Sequence, residues 1–193
     1  MKKNPILAGF ENKSRTYTIV ACALLMAMAI VLKTLLQFSV PMFGVKSQEI
    51  NFSYAVIMFA GYVFGPLWGG IVGLGSDLIG CLISGEGAPI IGLTVTNLLV
   101  GVLPGLLRLI VRERYKKFYV LFPFTLVLIC LASLHNSYWI RLVFVPHLTY
   151  WVYALPRLAF SALIAFPLNA VIIWILVIKV LPLINNRQSV KTE

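Results

Sequence analysis

Acidic side chains are scarce in this chain. Six Asp and Glu stand among 193 residues, against sixteen Lys and Arg. Charged residues make up 11% and hydrophobic ones 60%, roughly half the charge of a soluble domain of this size. That excludes an ordinary water-facing surface. Histidine occurs twice, at His135 and His147, with no H-E-x-x-H, so no metal site is expected. Cys22, Cys81 and Cys130 are isolated inside apolar segments and read as small buried residues. No G-x-x-x-x-G-K-[ST] is present, so the chain has no ATPase of its own. "GLGSDLIG" sets a serine among glycines without forming the G-x-S-x-G elbow, and no histidine is placed to serve it. Nor is there an inverted repeat of broken helices, as a self-sufficient secondary transporter would show. These absences point to a protein that is not an enzyme and needs no cofactor.

What is abundant is the long apolar run. The pattern predicts an all-α integral membrane protein, a single domain over residues 1–193 with six transmembrane helices. They cover about 17–38, 52–64, 67–84, 90–111, 118–144 and 150–182, divided by Pro/Gly and charge clusters. The second is short for a span, and "FGPLWGG" makes a tight turn after it. Basic residues precede the first run as in a signal peptide. The run is longer than a signal h-region and no small-residue cleavage site follows, so it reads as a retained helix.

Charge gives the orientation. Lys2, Lys3, Lys13 and Arg15 flank the first helix. Arg108, Arg112, Arg114, Lys116 and Lys117 crowd the fourth connection, and Lys179, Arg187 and Lys191 the C-terminal end. Twelve of the sixteen cations thus fall on one side, which the positive-inside rule makes cytoplasmic, with both termini there. The net charge of +10 is then largely a topology signal, and no nucleic-acid partner is expected.

Lys33, Lys46, Arg141 and Arg157 break that rule. Snorkelling to the outer headgroups suffices for Lys33 and Lys46. For Arg141 and Arg157 a ligand role is expected, because intramembrane ionisable residues usually face a cavity. Tyr150, Tyr153, Arg157 and Ser161 recur at three- and four-residue steps, on one helix face. His135, Tyr138, Trp139 and Arg141 crowd the outer part of the fifth helix. An interfacial aromatic belt accounts for Trp151 and Tyr150 but does not call for arginine on the same stripe. Gly69, Gly73, Asp77, Gly80 and Ser84 share a face of the third helix; Thr94, Asn97, Gly101 and Gly105 mark the fourth. The Gly-xxx-Gly steps read as close helix packing. Asp77, Thr94 and Asn97 either bond between helices or line a cavity, and the sequence leaves both readings open.

"INFSYAVIMFAGYVFGPLWGGIVGLGSDLIGCLI" resembles the second and third helices of energy-coupling factor (ECF) transporter S components, with their F-G-P-x-x-G turn and mid-helix aspartate. "LHNSYWIRLVF", followed by "LPRLAFSALIAFPLNAVIIWIL", resembles the folate-type branch. That branch has an L-N-T-x-W-like stretch, then an arginine about ten residues before a proline in the last helix. Here these are His135-Asn136-Ser137-Tyr138-Trp139, Arg157 and Pro167. His135 and Ser137 replace the usual leucine and threonine. The resemblance implies a multi-pass subunit of a bacterial plasma membrane that binds a vitamin from outside. It further implies docking on a membrane coupling subunit carrying two cytoplasmic ATPases, and toppling in the lipid to release the vitamin inside. The A-x-x-x-A docking patch of the family matches Ala23 and Ala27.

Folate is the expected ligand. Its glutamate offers two carboxylates to Arg141 and Arg157, since arginine grips a carboxylate with two parallel charge-assisted bonds. Tyr150, Tyr153 and Trp139 would stack on the flat rings, and Asp77 or Asn97 would pair with the amino-pyrimidinone edge. The rivals are an S component for a pyridoxine- or pyrimidine-like vitamin, which would leave an arginine idle, and a small membrane enzyme acting on an anionic lipid. The missing nucleophile–base pair counts against the enzyme.

Overall fold

The computed structural model describes residues 15–35, 38–42, 45–84, 90–110 and 116–180. Helix α1, Arg15–Leu35, leads into an antiparallel hairpin of β1, Phe38–Met42, and β2, Val45–Ile50. Then come α2 (Ser53–Phe64), α3 (Pro66–Ser84), α4 (Ile91–Ile110) and α5 (Lys116–Phe144). The last helix is continuous but irregular: α6 (Tyr150–Phe160), a π-helical segment Ser161–Ala165, α7 (Phe166–Ile175) and a second π-helical segment Leu176–Val180. The six helices follow one another as in the sequence reading, and the expected ends at 111 and 182 lie outside the described residues. The hairpin was not expected: residues 39–51 fall between the first two expected helices, where no strand was read. Its register shifts between Val40 and Pro41, where proline brings no N–H to the ladder.

Among the described residues five helices are long and apolar enough to cross a membrane. The sixth, α2, has 12 residues and rises only about 18 Å, short of a hydrocarbon core of roughly 30 Å. It is also the centre of the molecule. Ala55, Val56, Ile57, Met58, Phe59 and Ala60 are each no more than 1% exposed, so α2 is apolar all round because it is enclosed all round. The surrounding helices turn apolar side chains outward instead. Leu24, Leu67, Leu82 and Leu163 are exposed, as suits a surface that meets lipid.

Glycine backbones bring α2, α3 and α4 together. Gly65 turns the chain with a φ of 99°, a conformation only glycine adopts without strain, and Pro66 opens α3 where a missing N–H costs nothing. A Cβ on Gly61 would overlap the Gly101 carbonyl, one on Gly101 the Gly69 backbone, and one on Gly105 the start of α3. Close packing is therefore what these glycine steps provide.

A short helix inside a bilayer leaves backbone groups without water, so side chains must satisfy them. At the start of α2, Asn51 Oδ1 accepts from the Ser53 N–H at 2.9 Å. Asn169 Oδ1 accepts from the Ala55 N–H at 3.0 Å. Asn169 Nδ2 donates to the carbonyls of Ala165, at 2.8 Å, and Asn51, at 3.2 Å. At the other end Arg108 Nη1 donates to the carbonyls of Val63, at 2.6 Å, and Tyr62, at 3.2 Å. A cation there also suits the negative end of the helix dipole.

The π-helical segment Ser161–Ala165 precedes Pro167, whose ring would crowd the carbonyl four residues back in a regular α-helix. Widening that turn removes the conflict.

Asn169→Leu should keep the volume but strand the Ala55 N–H and the Asn51 carbonyl, at about 1–3 kcal/mol for each group. Thermal unfolding of the purified protein in detergent should show a clear fall in midpoint. Leu163→Ala, on the lipid-facing side, should change it little; equal shifts for the two variants would remove the capping role of Asn169.

Candidate ligand-binding site

A cavity of about 100 Å³ lies among the helices, and every one of them supplies wall. Lys33 comes from α1, Asn51 and Tyr54 from the start of α2, and Asp77 from α3. Leu93 and Asn97 come from α4, and Ile129, Ser133, Asn136 and Ile140 from α5. Arg157, Ser161 and Ala165 complete it from the last helix, at successive four-residue steps. The π-helical segment therefore borders the cavity, and β2 runs beside it.

Asp77 is 3% exposed, and each of its oxygens has a partner. Its Oδ1 accepts from Lys33 Nζ at 2.8 Å and its Oδ2 from Thr94 Oγ1 at 2.7 Å. This corrects the expectation that Lys33 snorkels outward. Lys33 is buried, its stem passes over Gly80, and its ammonium faces a carboxylate in the interior. An unpaired charge at this depth costs roughly 2.5–3.5 kcal/mol, and pairing offsets much of that.

Arg157 is 4% exposed. Its Nε donates to Ser137 Oγ at 2.9 Å, its Nη1 to the Tyr153 hydroxyl at 3.2 Å, and its guanidinium carbon lies 5.3 Å from the centre of the Tyr153 ring. Ser137 passes its own proton to the Ser133 carbonyl at 2.6 Å, and Ser161 donates to Ser133 Oγ at 2.9 Å. The serines at 133 and 137 thus fasten α5 to Arg157 and Ser161. Among the described side chains Asp77 is the one carboxylate, and Lys33 holds it. Arg157 therefore has hydroxyls and a ring face but no counter-ion among the described residues.

The two arginines do not converge. Arg141 Nε donates to the Leu148 carbonyl at 2.6 Å, with Nη2 3.5 Å from that of Pro146, so it fastens the 145–149 loop rather than lining the cavity. Of the residues singled out from the sequence, Asp77, Asn97, Arg157 and Ser161 line the cavity, and Tyr153 touches it through Arg157. Tyr150 donates to the Leu134 carbonyl at 3.1 Å and packs edge-on against Tyr138 and Trp151. Trp139 lies across Gly92, where any Cβ would overlap its indole ring. Lys33, Asn51, Tyr54, Ser133 and Asn136 line the cavity and were not singled out for it. Ser133, Asn136 and Ile140 share one face of α5, a periodicity that a search restricted to charged and aromatic residues passes over. On α1, Ala23 and Ala27 are both exposed, away from the inward stripe of Thr18, Cys22, Ala29 and Lys33. No group of three His, Cys, Asp or Glu could hold a metal ion among the described residues.

Lys33→Met should leave Asp77 buried without its cation, a change that costs roughly 3–5 kcal/mol for such pairs. Lys33→Met with Asp77→Leu should recover most of the loss, because neither charge remains to be stranded. A double-mutant cycle on thermal stability checks this, and additive losses would mean that the pair contributes no coupling.

A sequence model of the family described as "ECF-type riboflavin transporter, S component" matches residues 13–188. No curated protein matches the chain. Among solved structures, a crystal structure of FolT bound with folic acid superposes with a TM-score of 0.69 at 21% identity, covering 87% of this chain and 95% of that one. That likeness establishes the fold, a helical arrangement like that of FolT. The family match spans nearly the whole chain, and the chain belongs to the S components of ECF-type riboflavin transporters.

Proposed function

We propose that this chain is the vitamin-binding S subunit of an ECF-type importer in a bacterial plasma membrane, and that its vitamin is folate taken from outside. One observation carries the choice: Arg157 lines the cavity, is 4% exposed and meets no carboxylate among the described residues. A ligand carboxylate would supply one, by two charge-assisted hydrogen bonds. Folate has two carboxylates on its glutamate, and its pterin carries an amino-pyrimidinone edge for Asp77 or Asn97. The likeness to folate-bound FolT supports this reading. In it Tyr153 steadies Arg157, while Arg141, Tyr150 and Trp139 shape the outer mouth. Both termini face the cytoplasm, following the distribution of basic residues. The exposed Ala23 and Ala27 meet the membrane coupling subunit, which carries two cytoplasmic ATPases. The chain itself then binds and carries its ligand and catalyses nothing.

Riboflavin is the second reading, because the matching family bears its name. Its ring is flat, but its side chain is a neutral polyol and would leave Arg157 without a counter-ion.

Calorimetry on the purified protein separates the two. Arg157→Ala should weaken folate binding by well over tenfold, since losing one partner of a buried charged bond costs roughly 2–5 kcal/mol. Arg157→Lys should restore only part, because lysine cannot form the bidentate contact. A pterin lacking the glutamate should bind weakly to the parent and lose little more in the variant. Tight riboflavin binding with no folate binding would replace the first reading by the second.

Docking has its own test. Ala23→Trp with Ala27→Trp should leave vitamin binding intact and abolish uptake in cells, because bulky side chains hold apart helices that must touch. Lost binding in the purified double variant would make the patch structural.

A further inference from the structure

Five side chains form one hydrogen-bonded chain that ends on the cavity wall. Trp139 Nε1 donates to His135 Nε2 at 3.2 Å. Thr96 Oγ1 lies 2.7 Å from His135 Nδ1 and 2.6 Å from Asn136 Oδ1. Asn136 Nδ2 donates to the Tyr54 hydroxyl at 3.0 Å. Asn136 and Tyr54 line the cavity, whereas Trp139, His135 and Thr96 stand behind it.

The bond directions follow from chemistry. An indole N–H can only donate, so His135 Nε2 accepts, and a neutral imidazole then carries its proton on Nδ1. That N–H donates to Thr96 Oγ1, whose single hydrogen remains to be given away. A carboxamide oxygen can only accept, and 2.6 Å is an O–H···O length. The Gly92 carbonyl competes for the same proton from 3.0 Å. Turning the carboxamide over would replace the short bond with an N–H donor crowded at that distance. Asn136 is thus held one way round. With Thr96 and Tyr54 engaged, it retains one N–H and one oxygen lone pair, in fixed order.

We propose that His135 and Thr96 are positioning residues that lock Asn136 so that its carboxamide reads the lactam edge, –C(=O)–NH–, of a flat heterocycle, which leaves the adjoining 2-amino group of a pterin to Asp77 or Asn97. The proposal rests on the vitamin-binding reading but not on the choice of vitamin, because the pterin of folate and the isoalloxazine of riboflavin both carry that edge. A locked carboxamide pairs with one order of donor and acceptor and rejects the exchanged order, as asparagine does when it reads a base edge.

Two measurements test it, one without ligand. The chain has two histidines, so His147→Gln leaves His135 as the one imidazole for nitrogen-15 NMR in detergent. Its proton should sit on Nδ1, and in Trp139→Phe it should shift toward Nε2, the form free imidazole prefers. A proton on Nε2 in the parent overturns the proposal. The second measurement is calorimetry with folate, riboflavin and an analogue of each with an altered edge: the 2,4-diamino compound for the pterin, the N3-methyl compound for the flavin. The parent should prefer the unaltered vitamin by about tenfold or more. Thr96→Val, of similar shape, should narrow that preference about fivefold, and Thr96→Ser should retain it. Equal losses for vitamin and analogue, with the preference unchanged, overturn this proposal alone. Failure of the parent to bind either vitamin overturns the lactam assignment together with the vitamin reading.

Discussion

Backbone in a bilayer must find its hydrogen-bond partners within the protein, and α2 makes that demand on everything around it. A helix of 12 residues ends short of the membrane surfaces, so its first N–H groups and last carbonyls cannot turn to water. Asn169 and Asn51 answer at one end and Arg108 at the other. These partners come from α7, from the residues just before α2, and from α4. Tying them to α2 fixes how the outer helices sit around it. The cavity borders the capped N-terminal end, where Asn51 and Tyr54 reach its wall. The same shortness that creates the capping problem leaves room for a polar site.

Polar groups in that site hold one another in pairs. Lys33 and Asp77 neutralise each other, Thr94 completes the carboxylate, and the serines of α5 fasten Arg157 and Ser161. Over the side chains that line the cavity the charges sum to one positive, at Arg157, facing the space a ligand would fill. A cation kept in a dry wall without a counter-ion is costly to fold. An anionic ligand would gain what the fold has forgone, which is why the charge balance of the cavity says more about the ligand than its size does.

Much of this was legible in the sequence, and the misses have physical causes. Long apolar runs between Pro/Gly and charge clusters placed all six helices, because periodicity and turn chemistry are local signals. The turn after Phe64 was readable for the same reason: Gly65 and Pro66 can do little else. The hairpin was missed, although Phe38, Val40 and Met42 alternate with Ser39 and Pro41, a period-two signal too short to stand out beside 20-residue runs. Lys33 was misplaced because snorkelling and ion pairing look alike along one chain. Only the packing of α1 on α3 tells them apart, and no local pattern encodes it. Arg141 and Arg157 were grouped by proximity to the outer end, yet one bonds to its own loop and the other to its neighbours' hydroxyls. Ser133 went unremarked, and Asn136 entered only within the resemblance, because small polar residues in membrane helices are common and acquire meaning only when three helices bring them to one point.

Membership of a family does not choose the vitamin. A superposition at 21% identity means that the scaffold persists while most side chains, including those on the cavity wall, are free to differ. Specificity must then come from groups that can be exchanged without disturbing the helix caps. Asn169 and Arg108 are spent on backbone, and changing them would cost the fold. Arg157, Asn136 and Asn97 spend only part of their bonding capacity on the protein. The division follows from geometry: residues whose polar atoms are exhausted by backbone belong to the scaffold, and those with donors or acceptors left facing the cavity can discriminate between ligands. His135 stands between the two classes. It touches neither backbone ends nor cavity, yet through Thr96 it decides which way a discriminating residue faces, so a change at a position remote from the ligand can alter which ligand is preferred.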